Sequence, residues 1–108
     1  MNIEEQNLEE SLVFIIANAG DSKSNSLVAI EAARNGDFDK ARKLLSLSEE
    51  SLEKAHNLHT ELLSLEAKAK LNVTLLMVHD SNHLSIADIS QTLASEIVYL
   101  HEKDKIKE

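Results

Sequence analysis

The sequence predicts an all-α protein, an antiparallel three-helix bundle of up-down-up order formed by a single domain spanning residues 1–108. Three observations carry this reading. The chain has no Pro and only two Gly in 108 residues, so little in it interrupts a long helix. Its apolar residues recur at spacings of three and four, the helical period, rather than alternating. One strong turn signal, Asn35-Gly36-Asp37, and one stretch of small and polar residues near 69–72 divide that pattern into three segments.

The first helix is expected over about residues 3–34. Leu8, Leu12, Ile15, Ile16 and Ala19 form its stripe, which Leu27, Ile30 and Ala33 resume. Between them, Gly20-Asp21-Ser22 and Ser24-Asn25-Ser26 are poor helix formers, and the sequence predicts a kink or break there. Gly36 suits a left-handed C-cap, and the Asp37 carboxylate suits the N-cap of the next helix. That second helix is expected over about 38–70, with Ala41, Leu44, Leu45, Leu52, Ala55, Leu58, Leu62 and Leu65 turned inward. Glu49, Glu50, Glu53 and Lys54 face water. A third helix is expected over about 73–103.

Helices of about thirty residues are about 45 Å long, which makes the bundle a rod. The third helix is apolar around more than half its circumference, through Leu75, Leu76, Val78, Leu84, Ile86, Ile89, Leu93, Ala94, Ile97 and Val98. One partner face cannot bury all of that surface. A helix apolar on two faces packs against its own neighbours and against another subunit, so an oligomer is expected.

Nineteen acids against eleven bases give a formal charge of −8. This repels phosphate backbones and anionic lipid and excludes the basic-patch functions, nucleic-acid binding first among them. The absence of cysteine excludes a disulfide framework, a thiol nucleophile and a thiolate metal cage. No apolar run approaches the length of a membrane span and the first residues lack a basic signal-peptide start, so a cytoplasmic protein without membrane insertion is expected.

Chemistry then falls to the five histidines, His56, His59, His79, His83 and His101. His56 and His59 at mid-helix read as packing or surface residues, and His101 near a helix end as a dipole partner. His79 and His83 differ: at i and i+4 they share one helical face, which fits a metal pair or a catalytic pair. With no third ligand at a fixed offset the zinc signal is weak. No HExxH, Gly-rich phosphate loop or Ser/His/Asp pattern is present.

The string Leu75-Leu76-Met77-Val78-His79-Asp80-Ser81-Asn82-His83-Leu84 resembles the lactose/cellobiose-type enzyme IIA of the bacterial sugar phosphotransferase system. Ala32-Ala33-Arg34-Asn35-Gly36-Asp37-Phe38, Ala55-His56-Asn57-Leu58-His59-Thr60 and Ala19-Gly20 extend the resemblance over nearly the whole chain. The most specific element is the VHxxxHL core, typically Val-His-Ala-Gln-Asp-His-Leu in that family. The resemblance implies a phosphoryl carrier of a disaccharide uptake system of the lactose, cellobiose or chitobiose class. His79 would accept phosphate through its Nε2 from the phosphocarrier HPr and pass it to enzyme IIB, and indirectly serve the membrane enzyme IIC. It also implies a homotrimer joined through the third helices. His83 and Ser81 are candidates to steady the phosphoryl group, since such transfer needs mainly positioning and charge neutralisation.

Two residues depart from the pattern. Asn82 replaces the family's metal-binding Asp near the trimer axis, so no axial cation and no other cofactor are expected. Asp80 places a carboxylate beside the incoming phosphate, which costs Coulomb energy unless it points away. Together they support an alternative reading, a helical interaction or regulatory module that has kept the bundle and lost transfer.

Overall fold

A computed structural model of the protein describes residues 8–68 and 72–107. Three helices account for nearly all of these: α1 (Leu8–Arg34), α2 (Phe38–Ala67) and α3 (Leu75–Lys107). The expected start of the first helix at residue 3 and most of the turn at 69–72 lie outside the described residues. Extents of 57 × 18 × 17 Å make the molecule the expected rod.

The turn after α1 follows from its residues. Gly36 has a positive φ of 82°. Its N–H donates to the Ala33 carbonyl at 3.0 Å and that of Asp37 to the Ala32 carbonyl at 2.8 Å, the paired bonds of a Schellman cap. Asp37 then caps α2 by accepting from the Lys40 N–H. At the other connection a cap went unread in the sequence: the Thr74 hydroxyl accepts from the Met77 N–H at 3.3 Å. α3 therefore starts at Leu75 rather than Val73, and it continues to Lys107 instead of ending near Lys103.

The segment expected to kink or break α1 stays helical throughout. Its small polar side chains have a use that the pattern did not reveal. Ser22, Ser26 and Ser48 are fully buried, with Ser48 Oγ 2.9 Å from Ser22 Oγ and 2.7 Å from Ser26 Oγ. The hydroxyls of Ser26 and Ser48 both donate to the Ser22 carbonyl, at 2.8 Å each. Satisfied hydroxyls of this kind let two helices approach closely without stranding a polar group.

The serine cluster separates two apolar clusters in sequence. One joins Leu12, Ile15, Ala19, Leu52, Ala55, Leu58, Leu62, Met77, Leu84 and Ala87; the other, alanine-rich, joins Ala29, Ala32, Ala33, Ala41 and Val98. Arg42 near the start of α2 bonds Asp39 at 2.7 Å and reaches across to Glu102 of α3. Ser48→Ala leaves the Ser22 hydroxyl without its side-chain partner, and is expected to lower the unfolding free energy by about 1–3 kcal/mol. Chemical denaturation at fixed protein concentration checks this.

Candidate functional site

The helical step of about 100° per residue sends the five residues from His79 to His83 into different surroundings. His79 and His83, four apart, lie about 40° from each other around the axis. Their Nε2 atoms are 3.0 Å apart, and the rings meet edge to face at 84° with centroids 4.4 Å apart. Such a contact needs one nitrogen to donate and the other to accept. His79 is exposed and His83 half-buried. His79 also lines an open concavity of about 430 Å³ with Leu75, Leu76, Val78 and Asn82. The two ring nitrogens thus satisfy each other at a solvent-exposed edge of α3 rimmed by apolar side chains.

Ser81 does not join them. Two residues on from His79, it lies about 200° around the helix, and its hydroxyl is 2.9 Å from Nε2 of His59 on α2. The structure brings together His79 and His83 but turns Ser81 to the neighbouring helix, where it ties α3 to α2. Burial, and secondarily the nearby His56, hold the His59 pKa below the ordinary histidine value, so this ring stays neutral and pairs with a hydroxyl rather than a carboxylate. His56 is 3.7 Å from Asp88 of α3. His101 is exposed and stands more than a turn short of the end of α3. The expected dipole role fails because the helix runs longer than its pattern showed.

Asp80 is the residue whose direction the sequence left open, and it points away from the histidine pair. Its side chain is fully buried, 0% exposed, and neither carboxylate oxygen has a hydrogen-bond partner among the described residues. Burial raises its pKa from 3.8 to about 7, because an ionised carboxylate loses its hydration there. The feared repulsion between Asp80 and a phosphoryl group on His79 is answered by direction: the carboxyl points into the bundle, where burial disfavours its charged form. The signal was present in the spacing, since Asp80 falls on the stripe of Met77, Leu84 and Ala87.

Asn82 is exposed, within a strip of exposed residues that includes Leu75, Val78, Ser85 and Ile89. Leu75 is 86% and Ile89 62% exposed, a large apolar surface for one helix. Among the described residues no cluster of three or more His, Asp or Glu side chains could hold a metal ion.

A three-helix bundle that offers one accessible histidine pair on an apolar helix edge defines a helical protein suited to group transfer through a ring nitrogen. Comparison with known proteins specifies it. Residues 10–102 match the family described as PTS system, lactose/cellobiose specific IIA subunit. The lichenan-specific phosphotransferase enzyme IIA component of Bacillus subtilis is 41% identical over 99 residues, covering 91% of this chain and 90% of that protein. The N,N'-diacetylchitobiose-specific EIIA component of Escherichia coli is 34% identical over 103 residues, covering 94% and 89%. Among solved structures, the cellobiose-specific enzyme IIA of Bacillus anthracis superposes with a TM-score of 0.86 at 28% identity, covering 93% of each chain. The chitobiose IIA of a solved IIA–HPr complex gives 0.81 at 34% identity, covering 95% of this chain and 99% of that one. The chain belongs to the lactose/cellobiose-specific IIA family of the phosphotransferase system.

The buried carboxyl makes a prediction about pH. Folded Asp80 keeps its proton up to about pH 7, whereas the unfolded residue loses it near 3.8. The folded state therefore binds more protons between those values, and stability falls as pH rises through that window. Asp80→Ala, the residue typical of the family at this position, is expected to remove a slope approaching about 1.4 kcal/mol per pH unit. Unfolding curves for both proteins from pH 4 to pH 8 check this, and parallel curves would contradict it.

Proposed function

We propose that the chain is a cytoplasmic phosphoryl carrier that accepts phosphate from HPr on Nε2 of His79 and passes it to an enzyme IIB. The single observation that carries this reading is the exposed His79–His83 pair in a chain of the IIA family. The neutral His79 ring directs its Nε2 lone pair at phosphorus. As the new N–P bond forms, the N–P bond to the donor imidazole breaks, and its electron pair returns to the donor nitrogen. The N–H of His83, released from His79, then donates to a phosphoryl oxygen one turn away. Transfer to IIB reverses the sequence and restores the pair.

The described residues contribute positioning rather than bond chemistry. The Ser81–His59 bond fixes the rotation of α3 behind the site, and inward-facing Asp80 leaves the outer edge free of negative charge. That orientation removes the main argument for a module that has lost transfer. The substrate system is one for a disaccharide of the lactose, cellobiose or chitobiose class, with the membrane enzyme IIC as the indirect partner. None of the described helices is long and apolar enough to cross a membrane.

In the same reading the bundle is up-down-up, supported by cross-helix pairs whose residue numbers run in opposite directions: Arg42 with Glu102, His56 with Asp88, His59 with Ser81. Three subunits associate through the exposed strip of α3, and Asn82 amides meet near the axis. Amides both donate and accept, so they need no cation, unlike three carboxylates.

Phosphorylated HPr is expected to label the wild-type chain with acid-labile phosphate. His79→Gln abolishes labelling, and His56→Gln and His101→Gln keep it near the wild-type level. His83→Ala slows it, while leaving the fold intact by circular dichroism. Sedimentation is expected to give three times the monomer mass, unchanged by EDTA. For Asn82→Asp the trimer weakens at neutral pH unless a divalent cation is added.

A further inference from the structure

Beyond transfer, the geometry of the histidine pair has a second consequence. We propose that His79 and His83 form a bidentate site for a borderline divalent transition ion, copper(II) foremost, whose occupancy switches the carrier off. The proposal rests on the reading of His79 as the phosphoryl acceptor, because the bound ion occupies the lone pair that would attack phosphorus.

The donor type selects the ion. Two nitrogen ligands at about 2.0–2.1 Å from a metal lie about 2.9 Å apart at a square angle and about 3.4 Å apart at a tetrahedral one. The Nε2–Nε2 separation is 3.0 Å. Both nitrogens can therefore reach one ion once the rings turn out of their mutual hydrogen bond, and copper(II), nickel(II) and zinc(II) all accept imidazole. Copper(II) also leads the affinity order for imidazole sites. Magnesium and calcium prefer oxygen donors and are not served by two imidazoles.

Preorganisation favours binding. The histidines stand on consecutive turns of one helix, their rings already edge to face at 84°. Coordination needs both Nε2 lone pairs. The ring that donates in the hydrogen bond therefore moves its proton to Nδ1 through solvent, and a neutral pair releases no net proton. Water completes the coordination, consistent with the absence of a third His, Asp or Glu ligand among the described residues. The site is accordingly reversible and open to chelators. Phosphorylation of His79 removes one of its two ligands, so metal and phosphate exclude each other.

The test uses untagged full-length protein and copper(II) chloride. Calorimetry is expected to show binding that weakens about tenfold or more in His79→Gln and in His83→Gln, and by less than about twofold in His56→Gln and His101→Gln. Electron paramagnetic resonance is expected to show coupling to two imidazole nitrogens in the wild type and a different pattern in His83→Gln. In a single transfer from purified phospho-HPr, copper(II) lowers labelling about tenfold and EDTA restores it. Equal copper affinity in the wild type and both site variants would overturn the metal site, and labelling indifferent to bound copper would overturn the switch. If the metal-free protein takes no phosphate while copper still binds through both histidines, the carrier reading fails and the metal site stands.

Discussion

The constraint on which the structure depends is that α3 must satisfy three environments within each turn. Met77, Leu84, Ala87 and Ala94 bury against the other helices; Ser81 meets α2; His79, His83, Asn82 and the exposed leucines and isoleucines face outward. A rotation of α3 by one residue, about 100°, would carry His79 to the buried direction of Asp80 and Asp80 to the α2-facing direction of Ser81. The accessibility of His79, the proposed nucleophile, is therefore set by the packing of its own helix rather than by a loop or a cleft. The rest of the bundle serves to hold that rotation: apolar burial gives the energy, and the His59–Ser81 bond and the Arg42–Glu102 ion pair give the register.

Asp80 shows the cost of this arrangement. A carboxyl without a partner in an apolar interior destabilises the fold once it ionises, yet the same inward direction keeps its charge away from the exposed face of His79. The pattern of one residue inward and the next outward makes an apparently damaging substitution compatible with transfer. The serine cluster at α1 and α2 illustrates the opposite case, in which buried polar groups satisfy one another and impose no such penalty.

Much of this was legible in the sequence. The three helices, the Gly36 turn, the rod shape and the apolar outer strip of α3 follow from periodicity and from one glycine, and the His79–His83 pair follows from its i, i+4 spacing. What was missed required knowledge of partners on other helices. Ser22 and Ser26 read as weak helix formers because nothing in the sequence announces that Ser48 will meet them. Ser81 read as a neighbour of His79 because adjacency in sequence is not adjacency on a helix, and only α2 reveals that its hydroxyl bonds His59. The start of α3 depended on Thr74 as a cap, an isolated Thr with no capping box to flag it.

The central claim is that α3 presents the His79 ring nitrogen, and no other, to an incoming phosphoryl group. Mass-spectrometric mapping of the chain after labelling by phospho-HPr, with digestion kept at alkaline pH to preserve phosphohistidine, tests it most directly. The account predicts phosphate on His79 alone. Phosphate on His83, or on His56, His59 or His101, would contradict it.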